Sequence, residues 1–221
     1  MGLRRVRSAG RVVAMVLGAL TAGLWHEAAF AMSYRLVQSD LPNCKGPCPQ
    51  IVVASGTIQQ NEVTLFAEFV SAQKRMGQPI AGMVLIDSPG GFTSGAAGLG
   101  TVIRKLNMAV LVARPVANTV TRDRGLTAAT CASACVIVLA GGAKRYYVRG
   151  SRVGVHQSHT GPTVLDPVTK QQVNGKVDHG NVRQAYLSYF GKMGISPELA
   201  DVISRTSSEG MHWLSAEEMT K

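Results

Sequence analysis

Met83-Val84-Leu85-Ile86-Asp87-Ser88-Pro89-Gly90-Gly91 is a short apolar run closed by a Pro-Gly-Gly turn, and the period of the sequence changes immediately after it. From 93 to 107 small residues dominate, with Leu99, Val102, Ile103 and Leu106 at helical spacing. Strand, glycine turn, helix is the order this stretch predicts. Working back, Ile51-Val52-Val53-Ala54 reads as an earlier buried strand. Residues 61 to 75 place Val63, Phe66 and Val70 on one helical face, with Glu68 and Lys74 opposite. Working forward, Ala109 to Ala113 reads as the next strand. Repeated strand-helix-strand units imply parallel pairing with right-handed crossovers and a sheet covered by helices, an α/β fold.

The rhythm breaks at 114 to 130, where Arg114, Arg122, Asp123 and Arg124 lack an apolar period and predict a longer loop. Ala134 to Leu139 is a buried helical run, Arg145 to Val148 and Arg152 to Val155 are short strands, and 157 to 177 is polar loop or hairpin. Residues 180 to 193 form another helix. A last one starts at Ser215, where Ser-Ala-Glu-Glu has capping-box spacing.

The chain has 221 residues, 46% hydrophobic and 16% charged, which suits one globular domain rather than a disordered chain. Arg4, Arg5, Arg7 and Arg11 precede an apolar run from Val12 to Trp25, and Ala29-Phe30-Ala31 has the small-x-small form of a signal peptidase site. Residues 1–31 are read as a signal peptide, 32–50 as an irregular cysteine-containing segment and 51–221 as the folded domain. The apolar run is shorter than the ~20 residues of a spanning helix, so cleavage is preferred to an uncleaved anchor. No integral membrane span follows it, and the expected location is outside the cytoplasm, in a bacterial periplasm. The net charge of +10 stays positive after the signal is removed. The cations are scattered without interleaved aromatics, which argues against nucleic acid as a partner.

Cys44/Cys48 and Cys131/Cys135 are two C-x-x-x-C pairs, and an oxidising compartment allows disulfides among them. Four cysteines admit three pairings, so connectivity stays open. The spacing does not match a zinc module, and no metal or cofactor is expected.

Chemistry concentrates in three ordered segments. They are Asp87-Ser88-Pro89-Gly90-Gly91, Cys131-Ala132-Ser133-Ala134-Cys135 followed by Ala140-Gly141-Gly142-Ala143-Lys144-Arg145, and Val153-Gly154-Val155-His156-Gln157. A serine just before an apolar helical run sits where free amides favour developing negative charge, and a double glycine lets backbone approach a substrate closely. A histidine ending a strand can serve as base if the fold brings it to that serine.

The order and spacing of these segments resemble the Clp protease proteolytic subunit family, of the ClpP/crotonase-like superfamily. The resemblance runs from about Ile51 to Trp213-Leu214-Ser215-Ala216-Glu217-Glu218, which is similar to the family's closing motif. It implies a spiral of strand-helix units with a mostly parallel sheet. It also implies Ser133 as nucleophile, His156 as base, and the Gly91 and Ala134 amides as oxyanion donors. The family's acid falls where this chain has Met211. Asp201 is the preferred substitute, with Asp166, Asp178 and a Ser/His dyad held by a backbone carbonyl as alternatives. The position of Lys144 resembles a non-catalytic basic turn of that family.

The activity implied is hydrolysis of peptides or unfolded protein segments by an exported serine peptidase, with a homo-oligomer left open. The alternative is a non-catalytic envelope binding protein on the same scaffold. Crotonase-like chemistry on acyl-CoA fits the fold but not export, because that cofactor is cytoplasmic.

Overall fold

Val84, Leu85 and Ile86 are all buried, yet they point into two different clusters, because successive side chains of a strand face opposite sides of the sheet. Val84 and Ile86 join the larger core, whereas Leu85 joins a smaller one with Val37, Ile51, Val53, Leu111 and Ala113. The computed structural model describes residues 30–39, 48–116, 119–120, 125–158, 163–165, 168–169, 172–174 and 179–220.

The main sheet is built from β1 (Ser33–Ser39), β2 (Gln50–Ser55), β3 (Ile80–Asp87) and β4 (Ala109–Val112). Beyond β5 (Arg114–Pro115), β6 (Thr119–Val120), β7 (Leu126–Thr127) and β8 (Thr130–Ala132) follows β9 (Arg145–Tyr147), and the sheet order is β6-β1-β2-β3-β4-β9. All its pairings are parallel except β1 with β2. A second sheet, β13-β10-β8, contains β10 (Arg152–Val155) and β13 (His212–Trp213). A single bridge from Ser88 to Cys131 couples it to the end of β3. The loop or hairpin expected at 157 to 177 contains an antiparallel pair, β11 (Thr163–Leu165) and β12 (Gln172–Asn174).

Among the described residues five α-helices accompany the sheets: α1 (Glu62–Arg75), α2 (Thr93–Lys105), α3 (Cys135–Gly141), α4 (His179–Met193) and α5 (Glu198–Arg205). Phe66 of α1, Leu99 and Ile103 of α2, Ile137 of α3, Phe190 of α4 and Ile203 of α5 all enter the larger core. All of these helices therefore contribute to the one core that lies on the Val84 and Ile86 side of β3. Leu126 and Val148 pack on the smaller cluster at the other face, so part of the expected 114–130 loop serves as its cover.

Two expectations change. Residues 32–50 do not stay irregular throughout, because β1 pairs with β2 over Ser33–Gln38. Tyr34 and Leu36 pack against the larger core and Val37 lies in the smaller one. The polar residues between them hide this alternation from a search for apolar runs. The helix expected from Ser215 is a short 3-10 turn, Glu218–Thr220. Its capping box nevertheless forms: Ser215 N donates to Glu218 Oε2 at 2.8 Å and Glu218 N donates to Ser215 Oγ at 3.2 Å. The Ser215 amide, then the His212 ring and the Ser215 hydroxyl, hold the Glu218 carboxyl down at about 2.

Candidate active site

The end of β3 is tied to the strand that leads into the turn carrying Ser133. Ser88 N donates to Thr130 O at 2.8 Å and Ala132 N donates to Ser88 O at 3.0 Å. Asp87 reinforces this, its Oδ1 accepting from Thr130 N at 2.9 Å while Arg114 Nε lies 3.4 Å from Oδ2. Ser88 is buried, and its hydroxyl accepts from Gly90 N at 3.1 Å.

Gly90 and Gly91 then take φ values of 108° and 138°, a region that favours glycine. Space requires glycine as well. A Cβ on Gly90 would lie 2.7 Å from Ser133 Cβ, and one on Gly91 would lie 2.2 Å from Ile58 O. The Pro-Gly-Gly turn is thus pressed against the candidate nucleophile.

Ser133 sits between β8 and α3 with φ 55°. Its amide donates to Gly154 O at 2.8 Å and its carbonyl accepts from Val136 N at 3.1 Å, so the turn is held from both sides. Cys131 and Cys135, two residues to either side, form a disulfide. Cys48 is also disulfide-bonded, whereas Cys44 lies outside the described residues.

His156 follows β10, the strand paired with β8 in parallel, and this pairing brings it to the serine. Its Nε2 is 2.8 Å from Ser133 Oγ, and its Nδ1 is 3.0 Å from Ser208 O. A carbonyl oxygen only accepts, so Nδ1 carries the hydrogen in this contact. In the neutral ring Nε2 is then the acceptor, directed at the serine hydroxyl. Among the described residues, neither the Gly91 amide nor the Ala134 amide has a hydrogen-bond acceptor.

Asp201 is placed elsewhere. Its Oδ1 accepts from Arg183 Nε at 3.0 Å and Nη2 at 2.5 Å, and no hydrogen bond or ion pair joins it to His156 among the described residues. Asp166 and Asp178 lie outside the described residues. A Ser/His dyad held by a backbone carbonyl is among the sequence-based alternatives, but which residue supplies the oxygen, here Ser208, leaves no trace in residue identity. The clamp formed by Asp87 depends likewise on the position of Thr130, which only the fold sets.

A cavity of about 260 Å³ is separate from this pair. Val136, Leu139, Val153, Leu199, Leu214 and Met219 supply its apolar lining.

No protein-family model matches the chain, and no curated protein does. Solved structures do. A serine-to-alanine mutant of the membrane-bound stomatin-specific protease 1510-N is 14% identical, with a TM-score of 0.45 over 75% of this chain and 72% of that one. ClpP1 from Listeria monocytogenes is 16% identical, with a TM-score of 0.47 over 77% of this chain and 85% of that one.

Proposed function

We propose that this chain is an exported serine peptidase-like hydrolase acting on peptides or unfolded protein segments, with Ser133 as nucleophile and His156 as base. The observation that carries the reading is the 2.8 Å contact between Ser133 Oγ and His156 Nε2, with Nδ1 of the same ring engaged by Ser208 O. This gives the imidazole the tautomer that a general base requires. The peptide class of substrate comes from the resemblance of the three segments to Clp-type proteases.

In the reaction, Oγ bonds to the substrate carbonyl carbon as its proton passes to Nε2. The carbonyl oxygen gains the negative charge and faces the Gly91 and Ala134 amides, which have no other acceptor among the described residues. The C–N bond then breaks and Nε2 returns the proton to the leaving amine. Water resolves the acyl-enzyme by the same proton path in reverse. The bond from Nδ1 to the Ser208 carbonyl holds the ring in the orientation that both proton transfers need. Export is supported by the signal-like residues 1–31 and by the Cys131–Cys135 disulfide, since such bonds persist in oxidising compartments. No described helix is long and apolar enough to cross a membrane.

The engagement of Asp201 by Arg183 favours a second reading, a non-catalytic binding protein that keeps the scaffold. Fluorophosphonate labelling followed by intact mass separates the two. The parent is expected to gain one adduct that is lost in Ser133→Ala, and labelling is expected to slow by about 10²- to 10⁴-fold in His156→Ala. No adduct on a folded parent rejects the hydrolase.

A further inference from the structure

We propose that the Cys131–Cys135 disulfide is a positioning element of the hydrolytic centre: it clamps the turn that carries Ser133, making nucleophile alignment conditional on oxidation. This rests on the hydrolase reading and adds a requirement to it.

The bond joins residues 131 and 135, with a Cα–Cα distance of 5.2 Å, and Ser133 is at the middle of the five-residue ring it closes. Its two ends belong to different elements. Cys131 is held in β8, paired with Val153 and bridged to Ser88, while Cys135 is the first residue of α3. The bond therefore fixes the start of the helix relative to the sheet across a turn of Ala132, Ser133 and Ala134.

That turn contains a conformation which side-chain-bearing residues rarely keep. Ser133 and Asn107 are the non-glycine residues with positive φ among those described. A residue holds such a geometry only when its surroundings over-determine it. Four backbone hydrogen bonds act on the turn: Ala132 N to Ser88 O and Ser133 N to Gly154 O hold it to the sheet side, and Val136 N to Ser133 O and Ile137 N to Ala134 O hold it to α3. Packing on Gly100 and the bond from Tyr189 to Ile137 O fix the body of α3, so what the disulfide adds is local: a covalent tie between β8 and the first residue of α3 across Ser133. Without it, relaxation of the turn carries Oγ away from His156 Nε2 and swings the Ala134 amide off the oxyanion position.

Both cysteines are fully buried, so a reductant reaches them only when the turn opens. In the reduction, a dithiol gives two electrons and two protons to the sulfurs, leaving two cysteine thiols and a cyclic disulfide of the reagent. The newly made, reduced chain accordingly has a loose nucleophile, which becomes aligned when the pair is oxidised.

The test compares the full chain with a Cys131→Ala/Cys135→Ala variant and a Cys44→Ala/Cys48→Ala control. Fluorophosphonate inactivation is separated into its maximal rate and its half-saturating concentration, and the His156 Nε2 shift is recorded by 15N NMR alongside Ser133→Ala. In the 131/135 variant the maximal rate is expected to fall about a hundredfold, the scale of a 1 Å misplacement, with half-saturation unchanged. Its Nε2 shift is expected to move to that of Ser133→Ala, and the control to match the parent. A folded 131/135 variant with parental rate and parental Nε2 shift overturns the proposal. Should that variant not fold, the parent is reduced in place by a dithiol, free thiols at Cys131 and Cys135 are confirmed by alkylation and peptide mass, and the Nε2 shift is read before and after reoxidation. Movement and recovery support the clamp, and an unmoved shift overturns it. Should the parent not label at all, the hydrolase reading fails by itself, and the same movement or constancy of the Nε2 shift decides the clamp.

Discussion

Ser133 holds its hydroxyl where a base can take the proton only because three neighbours with no chemistry of their own surround it. Gly90 leaves room for its Cβ, Gly154 supplies the carbonyl that its amide needs, and Ser208 turns the imidazole toward it. The acid that a serine peptidase is expected to use for this last task is at most a positioning group, because it orients the ring and stabilises its charge. Asp201 does neither while it is paired with Arg183 on the surface. Exposed ion pairs contribute only about 0 to 1 kcal/mol, so Asp201→Asn is expected to retain both the fold and nearly the parental labelling rate. A fall of orders of magnitude in that variant would return the orienting role to Asp201.

At the scale of elements, the site depends on how closely α3 can approach α2. Gly100 and Gly141 face each other at the crossing, where a Cβ built on Gly141 would lie 2.4 Å from the Gly100 Cα. Tyr189 of α4 locks the arrangement by donating to Ile137 O at 2.9 Å, and burial raises the pKa of its hydroxyl well above the usual tyrosine value. The ring stays a neutral donor throughout the accessible pH range. Gly141→Val forces the two backbones apart, and overpacking of this kind is expected to destabilise by roughly 1 to 3 kcal/mol. Because α3 carries the Ala134 amide at its start, labelling by fluorophosphonate is expected to fall too. Thermal melting together with labelling checks both effects. A variant that melts lower yet labels at the parental rate would show that the crossing serves stability alone.

For the whole molecule, the segment that precedes β1 belongs to the sheet. Met32 is buried and its amide donates to Thr57 O at 2.8 Å, while Thr57 N donates to Phe30 O at 2.7 Å. Cleavage after Ala31 keeps the first of these contacts, converting the Met32 amide to an ammonium that still donates, and removes the second. Expression of the full chain in a bacterium is expected to yield a periplasmic product whose intact mass begins at Met32. A cytoplasmic product retaining residues 1–31 would reject the export reading, and with it the compartment in which the disulfide is useful.

The alternation of apolar runs and helical periods was sufficient to anticipate a parallel sheet with crossover helices, because burial of the strands is a local property of Val52, Val84, Leu85 and their neighbours. Ser133, His156, Gly91 and Ala134 are singled out by the resemblance of the three ordered segments to Clp-type proteases, together with Asp201, which the structure pairs with Arg183. Other features involve partners far apart in the chain or backbone atoms that carry no residue identity. The sharing of one core by the described helices, the pairing of Asp201 with Arg183 and the Ser208 carbonyl on His156 are of this kind. Among the pairings the spacing allowed, Cys131 with Cys135 follows from a turn tight enough to bring α3 back onto β8. Side-chain periodicity determined which segments fold against a core; only the tertiary structure decided which atoms meet across it, because those contacts depend on the relative placement of whole elements.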